Sequence, residues 1–297
     1  MRAVTVLRPS FSTRLTSASD AHRSLLCVGL DPEPESWPDS FPRNRTGALG
    51  FCREIVDAVA DLVCAFKPQA AHFGALGAEN ELAELIRYIH ERHPAVPVIL
   101  DAKRGDIGST AQRYAVEVFE RYDADAVTVN PYLGPESIEP YRAYRDRGVF
   151  VLCRTSNAGS DWLQSYGNEP LYLRVARGVV EWNSYGNLAL VTGATYPADI
   201  ARIRRAVGDL PLLVPGLGAQ GGELRAVLAG GLDSARAGLV MSASRSVLYA
   251  GKSSSRHDYP TAAREAAQTL RDEINHAIGE LHGARNPPDE AREARTS

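Results

Sequence analysis

The stretch VPVILDAKRGD, residues 96–106, decides the fold. It opens as an unbroken apolar run rich in branched side chains and ends abruptly in charge, at Asp101, Lys103, Arg104 and Asp106. A strand with one wet face alternates apolar and polar residues, whereas a run apolar at every position suits a strand buried on both faces, as in a parallel sheet covered by helices. Charges gathered at the C-terminal end of such a strand lie where α/β barrels expose their working groups. Side-chain alternation predicts that Asp101 and Lys103 point one way and Ala102 the other.

Working outward, seven more runs of this kind occur: LLCVGLD (25–31), CAFKPQ (64–69), AVTVN (126–130), VFVLCRTS (149–156), NLALVTGA (187–194), PLLVPG (211–216) and AGLVMSAS (237–244). Helical spacing fills the gaps between them. Leu82, Leu85, Ile86 and Ile89 follow Asn80, a good N-cap, and precede Pro94. Ala111, Ala115, Val118 and Tyr122 share a face behind a possible capping box of Ser109 and Gln112. Eight strand–helix units predict an α/β fold, a (β/α)8 TIM barrel forming a single domain over 1–282; an open doubly wound sheet is the alternative. Phe11, Leu15 and Ala18 fit one face of an N-terminal helix closing the bottom of the barrel. The same start is rich in Arg, Ser and Thr and lacks acids, as in organelle transit peptides. The polar segment 283–297, with two prolines, is expected to be a disordered tail.

The chain has 297 residues, 44% hydrophobic and 23% charged, with a formal net charge of −3. That is ample material for a core, without the basic footprint of a nucleic-acid binder or a polybasic membrane anchor. No apolar stretch reaches the roughly 18 residues needed to cross a bilayer. Cys27, Cys52, Cys64 and Cys153 are scattered without a C-x-x-C pair, as expected of reduced thiols in a cytoplasmic protein rather than disulfides or zinc ligands. The expected partner is a small molecule.

The strand ends carry the chemistry: Asp31 closes the first run, Lys67 lies in the second, and Asp101, Lys103 and Asp106 close the third. Interleaved carboxylates and ammonium groups permit three readings. They can be an ion-pair network that merely seals strand ends. They can be a divalent-metal site, although Lys67 and Lys103 would repel the cation. Or a lysine is held protonated by its acidic neighbours and serves as an acid, a setting unsuited to a Schiff-base nucleophile. After the seventh run, PGLGAQGG (215–222) contains Gly216, Gly218 and Gly221 in G-x-G-x-x-G spacing, but too late in the chain, and without the acidic residue, that a dinucleotide site requires. Glycines that admit an anion to the backbone, with Arg245 just beyond the eighth run, fit the phosphate site of barrels; a plain glycine turn is the alternative. The seven histidines show no metal-ligand spacing with acids or cysteines, His90 and His93 lying at a helix end.

Together, DAKRGDIGST (101–110), FKPQ (66–69), VGLD (28–31), TSNAGS (155–160), PGLGAQGG and SASRSVLYA (242–250) resemble the orotidine 5'-phosphate decarboxylase family over about residues 11–280, in its longer bacterial form. The resemblance implies decarboxylation of orotidine 5'-phosphate to UMP in pyrimidine biosynthesis, with no metal and no cofactor. It further implies that Lys103 protonates C6 of the pyrimidine as carbon dioxide leaves, with Asp101 beside the departing carboxylate and Lys67 in the same array. Asp106, completing the catalytic set, would reach with Ile107 and Thr110 into the neighbouring subunit's site, making a homodimer. Asp31 would bind ribose hydroxyls, Ser156 the pyrimidine edge, Gln220 base and phosphate, and Gly218, Gly221 and Arg245 the phosphate. A magnesium-dependent sugar-phosphate decarboxylase or aldolase sharing D-x-K-x-x-D, and a non-catalytic phosphate-ligand binder, are the alternatives.

Overall fold

The computed structural model describes residues 8–216, 221–252 and 258–283. Eight strands, β1 (Leu26–Leu30), β2 (Ala65–Pro68), β3 (Ile99–Arg104), β4 (Ala126–Val129), β5 (Gly148–Arg154), β6 (Leu188–Thr192), β7 (Leu212–Pro215) and β8 (Leu239–Ala243), pair in parallel in the order β2-β1-β8-β7-β6-β5-β4-β3. Isolated parallel bridges, Phe66 to Val98 and Gln69 to Asp101, join β2 to β3 and complete the ring. The result is a (β/α)8 barrel, and each predicted run contains its strand to within a few residues.

Continuous apolar runs are needed because each strand is buried on both sides. In β5, Val149 and Val151 face the helices while Phe150 and Leu152 belong with the barrel interior. The lower interior is filled by side chains such as Cys27, Ile99, Leu213 and Val240. The helix Phe11–His22, capped by Ser10, reaches the same cluster through Phe11 and Leu15, and the ring of Phe11 meets that of Phe150 edge-on at 5.7 Å between centroids. Asp125, wholly buried, ties this helix to the barrel floor. Its carboxylate accepts from Arg14 Nη1 at 2.5 Å, from the Val98 N–H at 2.7 Å and from Arg8, and pairs with His90 Nε2 at 3.0 Å.

Helix starts differ from the sequence expectation. Asn80 is not an N-cap: the helix Glu79–Arg92 begins behind Ala78 without a side-chain cap, and Glu79 and Glu81 in its first turn suit the positive end of its dipole. The helix Gly108–Val116 follows Ile107, also uncapped by a side chain, so Ser109 lies inside the first turn and no capping box forms. The predicted apolar faces are buried: Leu82, Leu85, Ile86 and Ile89 on one helix, and Ala111, Ala115, Val118 and Tyr122 on and just beyond the other. Burial of a whole face outweighs the choice of cap, since a cap contributes about 1 kcal/mol. The expected polar tail lies, from residue 284 onward, outside the described residues.

Candidate active site

Adjacent strands β2 and β3 bring three of the sequence-derived residues together at the C-terminal mouth. Lys67 Nζ lies 3.1 Å from Asp101 Oδ2, and Lys103 Nζ lies 2.6 Å from Asp101 Oδ1. Lys67 and Asp101 are buried, whereas 47% of the Lys103 side chain is open, so the ammonium an incoming molecule can reach is that of Lys103. Burial alone would raise the pKa of Asp101. Lys67, Lys103 and the hydrogen bonds outweigh it and hold the carboxyl at about 2, an anion at neutral pH. Burial alone would likewise neutralise Lys67, but Asp101 and Asp31 outweigh it and hold its pKa above the ordinary lysine value.

Simple alternation along β3 predicts that Asp101 and Lys103 meet, and they do, but by another route. The register of β3 against β4 shifts between Leu100 and Arg104, and Lys103 adopts φ +46°, the left-handed region that glycine favours. A lysine held there costs of order 1 kcal/mol and persists only where its surroundings enforce it. Thr128 on β4 supplies that enforcement: its Oγ1 accepts the Lys103 N–H at 3.0 Å and donates to Asp101 Oδ1 at 2.8 Å. Sequence reasoning missed Thr128. Its only signal is a hydroxyl in the apolar run AVTVN, which a β-branched strand residue gives routinely.

The other predicted residues that the structure describes lie at or just beyond strand ends. Asp31, just past β1, receives a hydrogen bond from Ser244 Oγ at its Oδ2. Ser156 follows β5 and packs so tightly on β6 that a Cβ on Gly193 would lie 2.7 Å from its backbone. Asp106 forms no ion pair with Lys67 or Lys103; its Oδ1 accepts the Ile107 N–H at 2.8 Å, and Ile107 and Thr110 are exposed. Arg245 is exposed at the first residue past Ser244, Gly216 turns at φ +93°, and Gly221 opens the helix Gly221–Gly231. Gly218 and Gln220 lie outside the described residues. The sequence reading also missed Arg154. Buried at the end of β5, it binds Asp199 at 2.9 Å and Ser160 and Asp161 at 2.6 Å each, and stacks over Tyr196, anchoring the loop that follows Ser156. A cavity of about 960 Å³ opens beside the array at the ends of β4 and β5, between Asn130, Leu152, Trp162 and Trp182, but Lys67, Asp101 and Lys103 do not line it.

Comparison with known proteins bears directly on this arrangement. Residues 24–256 match the model of the "Orotidine 5'-phosphate decarboxylase / HUMPS family". The orotidine 5'-phosphate decarboxylase of Azoarcus sp. (strain BH72) is 56% identical over 268 residues, 89% of this chain and 98% of that protein. That of Dechloromonas aromatica (strain RCB) is 55% identical over 90% of this chain and 98% of that protein. Among solved structures, Leishmania donovani OMP decarboxylase superposes with a TM-score of 0.79 at 37% identity, over 91% of this chain and 98% of that one. With charged strand ends on a parallel eight-stranded barrel, and relatives matched over nearly their whole length, the chain belongs to the orotidine 5'-phosphate decarboxylase family.

Proposed function

We infer that this protein decarboxylates orotidine 5'-phosphate to UMP in pyrimidine biosynthesis, with Lys103 as the proton donor. The observation that carries this reading is the exposed Lys103 ammonium fixed at 2.6 Å on a buried, ionised Asp101, in a chain whose relatives at 55% and 56% identity are named for this reaction.

When the bond from C6 to the carboxylate breaks, carbon dioxide departs and the electron pair stays on C6, in the plane of the ring. No adjacent carbonyl can take up that pair by simple resonance. A cation already aimed at C6 stabilises it as it forms and then supplies the proton that completes UMP; such preorganisation needs no rearrangement at the moment of reaction. One charge pair at about 4 Å and an effective dielectric near 20 is of order 4 kcal/mol, roughly three powers of ten in rate. The grip on phosphate and ribose adds more, because binding energy from remote groups can be spent on holding the reacting end in place. Asp31 takes the ribose, Ser156 the pyrimidine edge, Gln220 base and phosphate, and Gly218, Gly221 and Arg245 the phosphate.

The reaction needs no metal or cofactor on this reading. Both oxygens of Asp101 are engaged by ammonium groups, Oδ1 by Lys103 and Oδ2 by Lys67, a poor setting for a divalent cation. Asp106, with the exposed Ile107 and Thr110 at the rim, completes the neighbouring site of a homodimer. The described chain acts as one barrel domain plugged below by the helix Phe11–His22. None of its described helices is long and apolar enough to cross a membrane, and its four cysteines are free and buried, in keeping with a reducing cytoplasm.

The test is to mix the protein with orotidine 5'-phosphate in excess EDTA and follow UMP. Turnover is expected. Activity that EDTA abolishes favours the magnesium-dependent sugar-phosphate branch of the family, and tight nucleotide binding with substrate unchanged after long incubation favours a non-catalytic binder.

A further inference from the structure

Counting inward positions up from Cys27, which lies in the barrel interior, Gly29 and then Asp31 follow on the same side of β1. On the neighbouring strand β8, which pairs Cys27 with Ser242, the next residue on that side is Ser244. The two strand ends fit each other. A Cβ on Gly29 would come within 2.0 Å of Ser244 Oγ, so the missing side chain on β1 makes the space into which the Ser244 hydroxyl reaches. That hydroxyl donates to Asp31 Oδ2, while Asp31 Oδ1 is buried with no partner among the described residues. Tyr249, from the turn after β8, donates its hydroxyl to the Asp31 carbonyl at 2.7 Å and accepts the Glu33 N–H at 2.8 Å, pinning the backbone on either side of the carboxylate.

We propose that Ser244 is a positioning residue: it fixes the rotation of the Asp31 carboxylate so that Oδ1 stays presented to one ribose hydroxyl of the nucleotide. The inference rests on reading Asp31 as the ribose contact, and goes beyond it by naming what sets that contact's direction. Its physical basis is competition. The charge of Asp31 is felt at Lys67, so without the Ser244 hydroxyl that ammonium competes with the sugar for the direction of the carboxylate. A buried carboxylate oxygen without a donor is a standing cost that a sugar hydroxyl removes on binding. Ser244 also directly precedes Arg245, so the strand end that directs the ribose contact is continuous with the one offering an arginine to the phosphate.

The test uses the full-length protein and titration calorimetry with UMP, 2'-deoxy-UMP and 3'-deoxy-UMP. Wild type is expected to prefer UMP to at least one deoxy analogue. In Ser244→Ala that preference should shrink by about tenfold, the worth of one hydrogen bond to a charged group, with affinity for the disfavoured analogue nearly unchanged. Gly29→Ala, whose methyl group displaces the hydroxyl, should lose the same preference, and Gly29→Ala added to Ser244→Gly should lose nothing further, the signature of two residues acting through one contact. Full ribose preference in both single variants overturns the proposal and leaves the ribose role of Asp31 standing. No preference for either hydroxyl in wild type overturns that role itself, and the proposal with it.

Discussion

Lys103 is held in place from three directions: its ammonium by Asp101, its peptide N–H by Thr128, and its left-handed φ by the bulge of β3. Lys103→Ala is expected to lower kcat by at least about a thousandfold, since one preorganised charge is of order 4 kcal/mol. Binding of UMP should survive, because the phosphate and ribose contacts proposed above belong to other strand ends; calorimetry beside a turnover assay checks both. Near-normal kcat in that variant would remove Lys103 from the chemistry. Lys67, Asp101 and Lys103 were legible in the sequence because three charges around apolar strand ends are expensive unless they meet. Thr128 and Ser244 were not, because a hydroxyl in a strand is cheap and common, and only its neighbours reveal what it holds.

At the scale of elements, the helix Phe11–His22 shows how a short amphipathic segment gains stability from one aromatic anchor. Phe11 is 5% exposed and packs on Phe150 and over Gly148, where a Cβ would lie 2.4 Å from its ring. Phe11→Ala should therefore destabilise the protein by about 3 to 5 kcal/mol, read by urea denaturation, with kcat per folded molecule little changed because the floor lies opposite the mouth. The floor also carries a titratable clamp. Burial alone would lower the His90 pKa, but its bonds to Asp123 and Asp125 outweigh that and raise it from 6.5 to about 9. A raised folded-state value means that the stabilisation is complete below about pH 6.5 and is lost as pH rises through about 9. His90→Gln should accordingly be less stable than wild type at pH 6, with the gap narrowing by pH 10, in urea titrations at the two pH values. Equal gaps at both would show that His90 acts by packing alone. The spacing of His90 and His93 gave no hint of this clamp, since Asp123 and Asp125 reach His90 only once β4 is placed beside β3.

On the whole-molecule scale, closing the ring brings β1 beside β8 and β2 beside β3, and so gathers Asp31, Lys67, Asp101, Ser156 and Arg245 around one mouth although they span most of the chain. The proposed dimer extends that logic, with each site borrowing Asp106 from its neighbour. Lys103→Ala and Asp106→Ala proteins, each inactive alone, should recover activity when unfolded together and refolded. Random pairing leaves one intact site in each mixed dimer, or about a quarter of wild-type specific activity. A mixture as inactive as its parents would place Asp106 in the site of its own subunit, and an active Asp106→Ala parent would place it outside the chemistry.

The sequence by itself determined that eight apolar runs alternate with helices, that they suit a parallel sheet buried on both faces, and that charge collects at the ends of the first three; closure into a ring rather than an open sheet is decided by the pairing of β1 with β8 and of β2 with β3. Burial on both faces of a strand admits few other patterns, and clustered charge needs a shared mouth. Only the tertiary structure decided how those charges are aimed. The bulge at Lys103, the hydroxyls of Thr128 and Ser244, the Arg154 anchor and the Asp125 floor each depend on residues far apart in the chain meeting at hydrogen-bond distance. Periodicity reports which face a residue occupies, and it carries no information about which side chain stands across from it.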